Sequence, residues 1–163
     1  MSYIKKKSKR QEDRTAKDFG GKTQIASGAL WGSKGDARTD EFLIENKFTD
    51  KEYYTLKYAI WDKIKVEALK DSLRVPMLQL DIQDKQYVIM EIWDLLSYMQ
   101  GDYTKLPIIT FSTEKASLKL KKEELCIGMD EYATITFRKK EKDVILGVMR
   151  KDDFKVLLDT KNK

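Results

Sequence analysis

The sequence predicts an α/β (α+β) sandwich, helices laid against a mixed sheet, and three observations carry that prediction. Residues 42–48, Phe-Leu-Ile-Glu-Asn-Lys-Phe, alternate as a strand does. The stretch from Lys51 to Ser72 repeats apolar residues at spacings of three and four, the mark of an amphipathic helix. The elements readable in order up to Met99 run α-β-β-β-α-β-β-α, a mixture that packs as helices on a mixed sheet.

Bulk composition narrows the chemistry. A chain of 163 residues suits one domain, with or without a small appended unit, and is long enough to bury a proper core. The net charge of +5 and a pI near 9.1 suit a polyanionic partner. There is one cysteine, Cys126, and no histidine. No disulfide can form within the chain, so a reducing, cytoplasmic setting is expected. The lack of histidine excludes His-ligated zinc, Ser-His-Asp triads and histidine general bases. Catalysis, if any, rests on carboxylates, lysine, tyrosine or a metal. No stretch reaches the roughly 18 apolar residues of a membrane span, and the first residues lack a signal peptide's apolar core.

Each element has its own warrant. Residues 1–10 carry Lys5, Lys6, Lys7, Lys9 and Arg10 without an acid and read as a flexible basic arm. Gln11 to Phe19 reads as a short helix stopped by Gly20-Gly21; Glu12 falls in its first turn, a favourable place for a carboxylate by itself. Lys22 to Leu30 reads as a strand leading into a segment with Gly28, Gly32, Gly35 and Lys34, whose backbone amides suit anions but which lacks the Walker A pattern. A turn at Thr39–Glu41 joins a strand after Gly35 to the strand Phe42–Phe48. The helix after Thr49 or Asp50, with Tyr53, Leu56, Ile60, Trp61, Ile64 and Ala68 as its apolar face, is expected to pack under Phe42, Ile44 and Phe48. Strands follow at Val75–Ile82 and Gln86–Ile92, separated by a turn at Asp84-Lys85, then a short helix at Trp93–Met99. Beyond Gly101 come strands at Leu106–Phe111, Ala116–Leu120, Tyr132–Arg138 and Val144–Met149, and a helix at Lys151–Leu158. The organisation expected is a basic arm (1–10), a core (11–100) and a β-rich C-terminal extension or small subdomain (101–163).

The chemistry concentrates in residues 35–49. Leu43, Glu45 and Lys47 share one strand face, because side chains repeat every two residues. The turn brings Asp36 opposite Glu45 within a residue or two of register. Two carboxylates and an ammonium then meet, a set able to hold a hard divalent cation and a phosphate. An acid-x-base triplet is cheap: chance supplies about five in a chain with 27 acids and 32 Lys or Arg. With lysine there are Glu45-Asn46-Lys47, Asp153-Phe154-Lys155 and Asp159-Thr160-Lys161. Only the first lies on an alternating strand, behind Gly35-Asp36 and ahead of a long amphipathic segment. The bland alternative is a solvated edge hairpin with ordinary charge pairing.

Over residues 10–92 the chain resembles the PD-(D/E)XK nuclease superfamily and, within it, the Holliday junction resolvases of phages and archaea. The resemblance is carried by Glu12, Ser27-Gly28-Ala29, Gly35-Asp36, Ile44-Glu45-Asn46-Lys47, Trp61-Asp62-Lys63-Ile64, Glu67-Ala68 and Pro76-Met77-Leu78. It implies a restriction-endonuclease-like sheet flanked by helices. It also implies a Mg2+- or Mn2+-dependent endodeoxyribonuclease that resolves four-way junctions by paired nicks. Glu12, Asp36, Glu45 and Lys47 would be the catalytic set; Asp36, Glu45, Glu12 and the backbone carbonyl of Asn46 would bind metal. Phosphate contacts would come from Lys5, Lys6, Lys7, Lys9, Arg10, Arg14, Lys22, Lys34 and Arg38. A nearly two-fold substrate that needs paired cuts implies a homodimer. A phage-encoded protein in a bacterial host is compatible with this reading. The alternatives are another endonuclease on the same scaffold (restriction-like, repair or nicking) or a non-catalytic DNA-binding module.

Overall fold

The architecture below is that of a computed structural model, which describes residues 3–19, 22–23, 37–70, 73–99 and 104–161. In chain order the elements are α1 (Tyr3–Asp18), β1 (Lys22–Thr23), β2 (Ala37–Arg38), β3 (Phe42–Thr49), β4 (Tyr53–Lys57), α2 (Tyr58–Lys70), β5 (Val75–Ile82) and β6 (Lys85–Glu91). Then come α3 (Ile92–Tyr98), β7 (Ile109–Thr113), β8 (Ser117–Lys121), β9 (Ala133–Phe137), β10 (Val144–Arg150) and α4 (Lys151–Lys161). Eight strands form one mixed sheet in the order β1-β2-β3-β5-β6-β10-β9-β7, and β4 pairs with β8 in a separate ribbon. Among the described residues, parallel pairing is confined to β3–β5 and β7–β9. The α+β class expected from the element order is therefore what forms.

Two elements differ from expectation. The helix opens at Tyr3 rather than Gln11, so residues 3–10 are its first half and not a flexible arm. Lysine, arginine and glutamine are good helix formers, and neither glycine nor proline interrupts them before Gly20. The long helix expected over Lys51–Ser72 is split: Tyr53–Lys57 is a strand and only Tyr58–Lys70 is helical. Tyr53-Tyr54-Thr55 are β-prone residues, and the partner that decides the matter is β8, with Tyr53 opposite Lys121 and Lys57 opposite Ser117. The tight turn between β5 and β6 is Gln83-Asp84, with Gln83 at a positive φ of 54°.

The placement of α2 also corrects an expectation. Phe42 does not meet this helix; its ring packs on Phe19 just after α1, Tyr98 of α3 and Phe154 of α4, at centroid distances of 6.3, 5.6 and 5.9 Å. The Phe42 face of the sheet is thus covered by α1, α3 and α4. The opposite face, which carries Leu43, Glu45 and Lys47, lies toward the β4–β8 ribbon and α2. Tyr58, the first residue of α2, packs on Phe137 of β9 at 5.7 Å, and the Tyr87 hydroxyl donates to the Leu125 carbonyl after β8. With cover on both faces, β3 is buried from Phe42 through Asn46. Residues beyond 101 do not stand apart: β10 lies between β6 and β9, and β8 completes the ribbon.

Close packing sets tolerances. A Cβ on Gly147 of β10 would come within 2.5 Å of Leu95 Cδ2, and Leu95 is fully buried in α3. Gly147→Ala should therefore cost about 1–3 kcal/mol, read as a lower urea midpoint at an unchanged m-value.

An ion pair joins the far end of α1 to the start of α4. Lys151, 1% exposed, places Nζ 2.8 Å from Asp18 Oδ2, and Lys155 adds a contact at 3.5 Å. Burial raises the Asp18 pKa, but the contact with and charge of Lys151, helped by Lys155, outweigh it and hold the carboxyl below its ordinary 3.8. A depressed folded pKa contributes stability that is present above the unfolded value and lost as pH falls through the folded one. As the pH falls below about 5, Lys151→Met should lose less stability than the wild type; parallel urea titrations at each pH give the comparison.

Candidate active site

The site is built on β3 near its far end. Glu45 and Lys47 are two residues apart, so they share a face, and Lys47 Nζ lies 3.4 Å from Glu45 Oε1. The Glu45 side chain is only 11% exposed, whereas Lys47 keeps 33%. The acid is therefore withdrawn from water while the cation reaches it. Tyr54 of β4 stands on the same side. Burial, and then the Glu45 charge, push its phenol up to about 12.

Asn46 points the other way, beneath α1, as strand alternation requires. There it joins a buried polar group that the sequence reading did not single out. Thr15 Oγ1 lies 2.7 Å from the Asn46 amide and 2.6 Å from Gln79 Oε1. A hydroxyl has one proton to give. Gln79 Nε2 donates to Asp81 Oδ1, which leaves Gln79 Oε1 to accept from Thr15. The consistent assignment has the Asn46 amide turn its NH2 to Thr15. Arg14 donates to Asp81 Oδ2 at 2.8 Å, and Gln86 adds a bond to the same oxygen. The side chain of Asn46 is thus engaged on the α1 side, away from Glu45 and Lys47.

Gln11 ties α1 to the site directly. It is 2% exposed, and its Nε2 donates to the Lys47 carbonyl at 2.8 Å. Glu12, the next residue, is half-buried on the same helix. A cleft of about 390 Å3 opens beside this helix, lined by Arg10, Gln11, Arg14, Phe48, Asp81 and Gln86 among others. The available signal for this cluster was periodicity: Gln79 and Asp81 are polar residues two apart in an otherwise apolar strand, and Gln79 pairs in register with Asn46.

The remaining expected residues divide as follows. Lys6, Lys9 and Arg10 are exposed on α1. Arg14 is half-exposed but held by Asp81, and Arg38 is half-buried in β2. The hairpin turn expected at Thr39–Glu41 is present: the Thr39 N–H donates to the Phe42 carbonyl at 2.9 Å, and Thr39 Oγ1 accepts from the Phe42 and Glu41 amides. The β2–β3 ladder pairs Arg38 with Leu43 and Ala37 with Ile44, so it runs toward Glu45. Asp36, Lys34 and the glycine-rich segment lie outside the described residues, as do the side chains of Lys5, Lys7 and Lys22. Among the described residues no group of three or more Asp, Glu, Cys or His side chains gathers as a metal site, and no helix is long and apolar enough to cross a membrane. No family model matches the chain, and neither a curated protein nor a solved structure matches it.

Proposed function

We propose that this chain is a Mg2+- or Mn2+-dependent endodeoxyribonuclease of the PD-(D/E)XK type, acting on branched DNA and resolving four-way junctions by paired nicks. The observation that carries the reading is the Glu45–Lys47 pair: a buried carboxylate and a part-exposed ammonium 3.4 Å apart on one face of β3. Two things support it: the β2–β3 ladder runs toward Glu45, and no histidine exists to run another chemistry.

The donor set suits a hard cation in kind, since it offers carboxylate and carbonyl oxygens and no soft ligand. Asp36, Glu45, the Asn46 carbonyl and Glu12 would hold the ion. Once bound, it supplies an acidified water and stabilises charge on the phosphate. Lys47 orients the attacking water and offsets negative charge that builds on the phosphate oxygens. Burial of Glu45 keeps the pair in a medium of low dielectric, where the ammonium acts more strongly than in water. The products are a 5′-phosphate and a 3′-hydroxyl. A homodimer supplies two such sites to a two-fold substrate. Exposed Leu106 and Ile108, just before the sheet's edge strand β7, are the apolar surface we assign to that contact. The setting is cytoplasmic, in keeping with the exposed free thiol of Cys126.

The test is incubation with a synthetic four-way junction and Mg2+, with duplex, flap and single-strand controls. Paired nicks on the junction that vanish with EDTA are expected. Cleavage of plain duplex at an equal rate removes junction selectivity and leaves the phosphodiesterase chemistry. Binding without nicking at any metal concentration overturns the enzymatic reading.

A further inference from the structure

The outer face of the β4–β8 ribbon is cationic, and nothing in the proposed chemistry uses it. In the antiparallel ladder Tyr53 faces Lys121, Thr55 faces Lys119 and Lys57 faces Ser117. Alternation sends these residues outward and turns Leu56 and Leu120 inward, where both are fully buried. Thr55, Lys57, Lys119 and Lys121 are exposed, as is Lys51 just ahead of the ribbon. Lys119 Nζ sits 4.0 Å from the Tyr53 ring centre and Lys51 Nζ 5.6 Å from it, so one ring gathers two ammonium groups.

Little neutralises these charges. Lys121 has Glu124 at 3.8 Å, but both side chains are 48% exposed and such a pair is weak and screened. Among the described residues no carboxylate lies within ion-pair reach of Lys51, Lys57 or Lys119. Same-face residues along a strand are about 6.7 Å apart, within the Debye length of about 8 Å at physiological salt, so the lysines act as one patch. The patch borders a concavity of about 540 Å3 whose lining holds Lys85, Lys119 and Lys121, with Lys122 already paired to Asp84 at 2.6 Å, against Glu52 and Glu123. The ribbon lies on the same side of the sheet as Glu45 and Lys47, with Tyr54 between them.

We propose that this ribbon face docks the phosphate backbone of a DNA duplex arm. The choice of DNA rests on the endonuclease reading; the cationic face itself does not. Lysines without a planar fork contact phosphate as point charges, so the docking reads no sequence.

The measurement is equilibrium binding of a fluorescent four-way junction and of a plain duplex to the full chain, in EDTA so that cleavage plays no part, from 50 to 200 mM salt. Lys57→Gln/Lys119→Gln should weaken both DNAs about tenfold and flatten the log–log salt slope by about 1.8, near 0.9 for each lost contact. Lys57→Glu/Lys119→Glu should weaken binding further, and Lys140→Gln/Lys142→Gln, in the exposed β9–β10 turn, should leave it unchanged. All three variants keep the wild-type melting temperature, since every replaced side chain is outside the core. Binding by the first variant within twofold of wild type, at the same slope, overturns the proposal. So does displacement of the DNA by poly-glutamate at equal charge, which would assign the face to an acidic protein. Loss of binding in the variants of a protein that never nicks leaves this surface standing and removes the nuclease reading. Unchanged binding with intact nicking does the reverse.

Discussion

Replacing Lys47 with alanine is expected to slow Mg2+-dependent nicking of a junction by about 10^2–10^3-fold, the cost of removing one positioned charge from a transition state. Junction affinity in EDTA should fall only slightly, because one lysine among several phosphate contacts changes the salt slope by about one. That split separates a residue acting in the reaction from one that merely holds DNA. Glu45→Gln, which keeps the shape and removes the charge, should lose activity to a similar degree. The Lys47 side chain is one-third exposed, so its removal leaves the core intact, and an unchanged melting temperature shows that lost nicking is not lost folding. Full Mg2+-dependent cleavage by either variant refutes the assignment of the site.

The second large effect is on stability. Phe154 of α4 is fully buried and contacts three aromatic rings: Tyr98 at 5.2 Å, Phe42 at 5.9 Å and Phe19 at 6.3 Å. These rings come from α3, β3 and the end of α1, so one side chain fastens four parts of the fold. Phe154→Ala should cost about 3–5 kcal/mol, because it removes the apolar area and leaves a hole that fixed neighbours fill poorly. At about 2–4 °C per kcal/mol for a chain near this size, calorimetry should show a large drop in melting temperature, and Phe154→Leu a smaller one. A shift under about 3 °C for the alanine variant would mean that the cluster closes over the gap. The effect should also reach the site, since the α1 that Phe19 anchors carries Gln11 and Glu12.

How far the sequence spoke depends on where each residue finds its partner. Phe42–Thr49, Val75–Ile82 and Val144–Arg150 were legible because their own alternation or apolar runs suffice. Tyr53–Lys57 was not, because a spacing of three and four also fits those residues, and the strand that claims them, Ser117–Lys121, lies far on in the chain. Alternation also showed that Glu45 and Lys47 share a face while remaining silent on which helix covers it. The strand is apolar on both sides, Leu43 on one and Ile44 on the other, so α2 was placed on the wrong one. The bonds joining Gln11 to Lys47 and Thr15 to Asn46 and Gln79 span 31 to 64 residues. No local pattern contains them. Arg14 shows the same limit: its charge suggested phosphate, and a carboxylate 67 residues away takes it instead.

The position of β10 has a consequence for biogenesis. Strand β10, late in the chain, lies in the interior of the sheet, between β6 and β9, and α4 closes over it. During synthesis β6 is made long before its neighbour, so its hydrogen-bonding edge is open while the remaining residues are added. An open edge of Tyr87, Val88, Ile89 and Met90, all buried in the finished protein, invites pairing with another nascent chain. A ribosome stalled before residue 144 would display that edge, and the sheet cannot close between β6 and β9 until Val144–Arg150 has been made.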